Sequence, residues 1–107
     1  MALSAILSTA VSGLNANAKR AETSANNIAN INTAGFKAAH VQTTSIVSDP
    51  NLAGGSGVQA QTFIGDSPTN LVRDITRLIE AEASYKANAK VIRAADDLAK
   101  ETLNILT

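Results

Sequence analysis

Four asparagines form a dense cluster of hydrogen-bonding side chains in the first third of the sequence: Asn26, Asn27, Asn30 and Asn32. Each carboxamide offers two donor hydrogens and one acceptor oxygen, so the cluster can bind exposed backbone groups or a second chain. Asparagine is unfavourable inside a helix because its amide competes for nearby backbone groups. The cluster therefore predicts a helix end at which side-chain amides hold a turn or contact another subunit.

The titratable side chains do not form a pattern that favours catalysis. His40 is the only histidine, and no cluster of other ligand residues lies near it, which favours a surface histidine over a metal site. Paired catalytic acids need a desolvated pocket that separates their pKa values. A rod of two helices offers no such pocket, and the candidate acids alternate with basic residues: Glu80, Glu82, Asp96 and Asp97 with Lys86, Lys90, Arg93 and Lys100. The sequence predicts no enzyme activity, cofactor or metal.

The composition predicts a chain that gains its stability in an assembly. The 107 residues are rich in alanine, and only Phe36, Phe63 and Tyr85 are aromatic. Small side chains let helices approach closely but bury little surface, so a monomer would be marginally stable. The formal net charge is zero, which does not favour a nucleic-acid or anionic membrane partner. The absence of cysteine excludes disulfides.

Residues 3–18 resemble a secretion signal only in part. The segment ends in Ala16-Asn17-Ala18, a small-x-small pattern, but no lysine or arginine precedes it and several Ser and Thr residues interrupt it. No apolar run approaches the roughly 20 residues that span a bilayer. We therefore expect neither a cleaved signal peptide nor insertion into the membrane.

The first predicted helix covers about residues 4–31. Apolar and small residues recur there at alternating gaps of four and three, the period of a seam that packs on another helix: Leu7, Val11, Leu14, Ala18, Ala21, Ala25 and Ile28. Gly35 is placed to supply a left-handed residue just beyond the helix end. The pattern predicts one long helix followed by the asparagine-rich junction.

The middle of the chain favours two short strands. Residues 40–47 and 58–64 are rich in Val, Ile, Thr and Gln. Residues 48–57 between them carry proline and several glycines, which indicates a loop, and this loop lacks the ending of a phosphate-binding motif. We expect a β-hairpin with a flexible tip, and the alternative is an extended arm that orders only against neighbours.

The second predicted helix covers residues 68–106, with Ser67 as its cap and Pro68 at its first position. Its seam keeps the four-three alternation for about five heptads: Leu71, Ile75, Leu78, Glu82, Tyr85, Ala89, Ile92, Asp96, Ala99, Leu103 and Leu106. A second apolar line implies a further packing partner: Val72, Ile79, Val91, Ala95, Leu98 and Ile105. Glu82 and Asp96 either set register against another subunit or lie in water at the edge of the seam, and the exposed position is favoured.

These elements define the predicted fold class. It is mainly α, with two long N- and C-terminal helices that pair as a coiled coil and are joined by a short β-hairpin or extended arm. Residues 1–36 form the first helix and the asparagine-rich junction of a helical core domain, residues 37–66 the hairpin or arm, and residues 67–107 the C-terminal helix of the same core domain. This layout is typical of a subunit whose ends pack into a shared core.

Three stretches resemble bacterial flagellar rod and hook proteins. Residues 25–37, which read Ala-Asn-Asn-Ile-Ala-Asn-Ile-Asn-Thr-Ala-Gly-Phe-Lys, are similar to the N-terminal signature of this axial family, and residues 10–16 resemble the stretch upstream of it. Residues 70–72 with 79–92 resemble its C-terminal domain. Both ends match in the correct order, so the chain is identified as a member of the basal-body rod/hook family, similar in its short middle to proximal rod subunits.

The resemblance implies a structural function. Members polymerise through their terminal helices into a tube that transmits torque, with themselves or other rod proteins as partners. They pass through the flagellar export apparatus without a cleaved signal and reside in the periplasmic basal body. The alternatives are a hook or hook-junction subunit, since residues 33–37 look more like that version of the motif, and a regulatory or chaperone-like mimic that binds axial proteins through the same helices.

The resemblance also implies roles for individual residues. The expected assembly interface consists of apolar seam residues: Leu7, Val11, Leu14, Ile28, Leu71, Ile75, Leu78, Tyr85, Ile92 and Leu103. The expected junction consists of residues that bond or turn the backbone between helix and hairpin: Asn26, Asn27, Asn30, Asn32, Gly35 and Phe36. Either set can act within one subunit or between subunits.

Overall fold

The fold consists of two long helices joined by a hairpin. A computed structural model describes residues 2–46 and 57–106. The elements, in chain order, are α1 (Ala2–Ala29), β1 (Ala39–Ile46), β2 (Gly57–Ile64) and α2 (Leu71–Leu106). The prediction of a mainly helical fold with paired terminal helices and a short central β segment is therefore confirmed.

The central segment is a paired hairpin rather than an extended arm. β1 and β2 are antiparallel, with a continuous register from the Ala39–Ile64 pair to the Ile46–Gly57 pair. Of the expected loop, residues 48–57, Gly57 instead begins β2, where it pairs with Ile46. Residues 48–56 and the last residue of the expected first strand, Val47, lie outside the described residues.

α1 is the central element, because α2 and both strands pack on it. The two helices are antiparallel, since Gly13 lies against Asn88 near the middle of the pair and Asn27, later in α1, bonds Asp74, earlier in α2. The hairpin is tied to α1 where the amide of Val58 donates to the Ser12 hydroxyl, 3.0 Å away. The resulting body measures 62 × 28 × 14 Å between Cα atoms, so it is long and thin. A body so thin leaves broad faces without a second layer of elements to cover them.

The helix pair is held by small and polar side chains. The buried positions of α1 include Ala10, Asn17 and Ser24, and those of α2 are Asp74, Ala81 and Ala95. These positions are seven residues apart or a multiple of seven within each helix, the repeat that keeps one face on a neighbouring helix. Ala16 and Asn27 of α1 are buried beside this line. Gly13 contributes to the close approach, since a Cβ there would lie 2.7 Å from the Asn88 amide nitrogen.

The predicted seam was offset from the true contact between the helices. Its large apolar residues were expected to pack within one subunit or between subunits, and in the single chain Val11, Leu71, Ile75 and Tyr85 are all more than 40% exposed. Within the described residues, no Leu, Ile, Val, Phe or Tyr is fully buried. The small-residue face forms the contact between the helices because it lets the backbones approach closely. The bulky residues therefore flank the contact.

The start of α2 also differs from the prediction. The helix begins at Leu71, and its cap is Asn70, whose Oδ1 accepts from the Arg73 amide at 3.1 Å. Ser67 and Pro68 lie in the preceding loop, where the Ser67 carbonyl accepts from the Ala38 amide at 3.1 Å. That bond holds Ser67 beside the hairpin, and Asn70 caps the helix instead.

Replacing Ala81 with leucine is expected to lower the free energy of unfolding by about 1–3 kcal/mol. Ala81 is fully buried between the helices, and a larger side chain would force them apart. Ala83→Leu is the matched control, because Ala83 is exposed on the same helix. Urea unfolding followed by circular dichroism measures both, and equal midpoints for the two variants would refute a close-packed seam at Ala81.

Candidate assembly interface and polar junction

Asn27 connects three elements at the centre of the junction. Its side chain has no exposed surface. The amide nitrogen Nδ2 donates to the Ala39 carbonyl at 2.8 Å, and Oδ1 accepts from the Ala39 amide at 2.9 Å. This reciprocal pair imitates the bonding of a neighbouring strand, so the start of β1 is fixed on α1. Nδ2 also donates to the Asp74 carboxylate at 3.1 Å, which adds α2 to the same contact.

Asp74 is a buried carboxylate that sequence reasoning missed. It is 2% exposed and lies in the first turn of α2, where the helix dipole favours negative charge. Its partner Asn27 is 47 positions away in sequence, so no local pattern connects the two residues. One sequence signal was available: Asp74 lies on a line of seven-residue spacing with Ala81, Asn88 and Ala95. These residues are small or polar, so a search for periodic large apolar residues does not find them.

The other asparagines form a local turn network at the end of α1. The Asn30 side chain donates to the Asn26 carbonyl at 2.9 Å and to the Asn26 Oδ1 at 3.1 Å. The Thr33 hydroxyl donates to the Asn30 Oδ1 at 3.2 Å. The Asn26 carbonyl also accepts from the Asn30 backbone amide at 3.1 Å, so these side chains reinforce the last turn of α1, which ends at Ala29. Asn32 is exposed and makes no hydrogen bond with the described residues.

Gly35 supports a separate turn rather than the helix cap. It has φ +76°, so it is the left-handed residue that was expected there, but the helix ends earlier than predicted, at Ala29. The Phe36 amide donates to the Thr33 carbonyl at 3.3 Å, which closes a turn with positive φ at its third residue, a position that favours glycine. Phe36 itself is half-buried where the chain turns toward β1.

An open apolar groove runs between α1 and α2. One stretch of about 610 Å³ is lined by Ala18, Ala21, Leu78 and Tyr85 among others. A second stretch of about 590 Å³ is lined by Leu7 and Ile92 with neighbours on α2. Six residues define this open groove: Leu7, Ala18, Ala21, Leu78, Tyr85 and Ile92. The structure therefore brings much of the predicted seam together, but as the walls of a surface groove.

The remaining predicted interface residues lie along or beyond this groove. Leu14 and Ile28 are half-buried on α1, and Val11 is 46% exposed. Leu71 and Ile75 are exposed near the start of α2. Leu103 is 63% exposed, because the last turns of α2 extend past α1. With Asn88 opposite Gly13, the antiparallel register places Ala2 beside about residue 99, so α2 projects roughly 10 Å further at 1.5 Å per residue.

The charges on α2 form ion pairs along the edge of the groove. Lys86 contacts Glu82 at 3.1 Å and Lys100 contacts Asp96 at 3.0 Å, each one turn along the helix. The hydrogen bond to Asp96 and its negative charge raise the pKa of Lys100 above its ordinary value. Glu82 and Asp96 are therefore exposed edge residues, the position favoured from the sequence. Such exposed pairs contribute little stability.

The described part of the chain contains neither a cluster of metal ligands nor a membrane-spanning helix. No group of three His, Cys, Asp or Glu side chains lies close enough together there to hold a metal ion. None of its helices is long and apolar enough to cross a membrane.

Paired terminal helices with an unfilled apolar groove define a class of protein that packs side by side with further helices. Two family models match this chain: Flagella basal body rod protein over residues 7–37, and Flagellar basal body rod FlgEFG protein C-terminal over residues 60–105. A comparison with curated proteins gives no match. The chain belongs to the flagellar basal body rod family, a family of structural proteins. As such it is a component of the basal body that assembles with other rod proteins.

Proposed function

We propose that this protein is a rod subunit that polymerises through α1 and α2 into a tube that transmits torque. The observation that carries the proposal is the open groove along the helix pair. Its walls are mostly apolar, with charged residues such as Glu82, Lys86 and Asp96 among them, and a chain only 14 Å thick has no second layer to cover them. Large contiguous apolar surface of this kind is typical of protein–protein contacts.

The small-residue seam suits a subunit under mechanical load. Alanine and glycine contacts bring the helix backbones close, and Asn27 ties both helices to the hairpin. A single subunit made this way is thin and buries little apolar surface of its own. In an assembly, the same groove repeats at every subunit, so stiffness arises from many modest contacts in parallel.

We propose a periplasmic position in the proximal rod, reached through the flagellar export apparatus. Only residues 38–59 separate the two family-matched segments, which supports this position, because distal rod and hook subunits carry a large middle domain. A hook or hook-junction subunit is the alternative, and the hook-like ending of residues 33–37 favours it. A regulatory mimic that covers the grooves of other axial proteins is a further alternative.

Isolation of basal bodies from cells carrying the tagged chain tests the proposal. We expect the chain to remain with the basal body after washing and to account for density of the helix pair in a cryo-EM map of the rod. Recovery of the chain only as a soluble cytoplasmic complex with other axial proteins would contradict the subunit proposal and support the mimic.

A further inference from the structure

A small polar cavity lies where α1, β1 and α2 meet, on the other side of the helix pair from the open groove. Its volume is about 100 Å³. The side chains that matter for its chemistry are two arginines, two hydroxyls and the histidine: Arg20, Arg77, Thr23, Ser24 and His40. No aspartate or glutamate lines it. We propose that this cavity binds a small tetrahedral oxyanion such as phosphate or sulfate.

Arg77 brings a positive charge to the cavity without an acidic partner. Its Nη1 lies 2.9 Å from the His40 Nδ1. Since an arginine can only donate, Nδ1 is the acceptor and the ring proton lies on Nε2. Arg77 makes no ion pair within the described residues. The bond to His40 holds the guanidinium in place, and its other N–H groups remain for an anion, the group that arginine binds most strongly.

Ser24 supplies a second, independent observation. Its side chain is only 4% exposed, lines the cavity, and forms no hydrogen bond with the described residues. Among the described residues only Thr69 Oγ1 is a fully enclosed polar atom without a partner, so the Ser24 Oγ opens onto the cavity, where its hydroxyl can donate to a ligand. Thr23 lies beside it on the same wall and likewise forms no hydrogen bond with the described residues. An oxyanion accepts from both hydroxyls and from arginine, so one ligand satisfies all of these groups.

The nearby acids leave room for such a ligand. Glu80 contacts Arg20 at 3.8 Å, a long distance for an ion pair, and the Glu80 side chain is 60% exposed. Arg20 also donates to the Asn17 Oδ1 at 3.3 Å. Asp74, one turn before Arg77, is occupied by Asn27. Donors from three elements surround the cavity, an arrangement that suits a tetrahedral dianion better than a planar, singly charged carboxylate.

Thermal unfolding of the full chain, followed by helix circular dichroism, tests the site in phosphate, sulfate, acetate and chloride at matched ionic strength. We expect phosphate and sulfate to raise the midpoint in a saturable way, since a ligand that binds only the folded state stabilises it. Acetate and chloride should produce no saturable rise. The site lies within one subunit, so the result is independent of rod assembly.

Variants distinguish binding at the cavity from the general stabilising effect of these salts, which does not saturate. Arg77→Gln should weaken the apparent affinity for phosphate by about tenfold or more, because a charge-assisted contact is lost. Ser24→Ala should weaken it less. Arg73→Gln is the matched control, because Arg73 is exposed on the same helix and does not line the cavity. The proposal is overturned by a rise that does not saturate or that is equal in Arg77→Gln and Arg73→Gln. No rise at all, or an equal response to acetate, also overturns it.

Discussion

Substitution of Asn27 by alanine is expected to abolish the cooperative unfolding transition of the isolated chain. Three hydrogen bonds are lost at once, two to the backbone of Ala39 and one to the Asp74 carboxylate. Asp74 then remains buried without the Asn27 amide, and the start of β1 loses its attachment to α1. The expected loss is at least about 3 kcal/mol, since each unsatisfied buried group costs about 1–3 kcal/mol and a charged group more. A small domain with a thin core has little stability to lose.

Asn26→Ala is the matched control for this prediction. Asn26 is the adjacent asparagine, it is exposed, and within the described residues its side chain bonds only Asn30. Its replacement should change the free energy of unfolding by about 0.5 kcal/mol or less, as surface substitutions usually do. Urea titrations monitored by circular dichroism compare the two variants with the wild type. Similar midpoints for both would show that the Asn27 contacts do not hold the junction together.

Substitution of Tyr85 by glutamate is expected to prevent incorporation into the basal body while leaving the isolated subunit folded. Tyr85 is 44% exposed in the single chain, so a charged replacement there remains in contact with water. Once a neighbouring helix fills the open groove, the same carboxylate is buried without a partner. Breaking or misplacing a buried charge costs several kcal/mol, so incorporation should fall by more than tenfold and motility should be lost.

Ala87→Glu places the same charge two residues further along α2. Ala87 is exposed and lines neither stretch of the open groove. Quantitative immunoblotting of isolated basal bodies measures incorporation, and circular dichroism confirms that both variants keep their helices. Normal incorporation of Tyr85→Glu would exclude the open groove from the assembly interface, whereas loss of incorporation in both variants would assign the contact to a broader surface of α2.

The element order could be predicted because its signals are local. The four-three spacing on both helices and the Val- and Thr-rich segments depend on neighbours in sequence, and they identified α1, the hairpin and α2. The caps were less certain, because Ser67 and Asn70 are both good capping residues. A tertiary contact, the bond between the Ser67 carbonyl and Ala38, decided between them.

Hydrophobicity could not predict which face of each helix packs within the chain and which face stays exposed. Large apolar residues such as Leu71 and Tyr85 mark a surface that avoids water, but periodicity does not say whether the same chain or another one covers it. The intrachain contact instead uses Ala81, Ala95 and the polar Asn17. The junction was found as a region, since asparagine density is visible in sequence. Its pairing with Asp74 required knowledge of how the two helices align.

The unequal lengths of α1 and α2 give the subunit a direction. α2 has 36 residues and α1 has 28, and the excess projects at one end only, while the hairpin junction closes the other. Two dissimilar ends favour contacts in which each copy offers a different surface to the next. Head-to-tail contacts of this kind do not close into a pair unless the rotation between copies closes a ring, and otherwise they continue as an open helix. A polymer built this way is polar, so its two extremities differ chemically and growth at one need not resemble growth at the other.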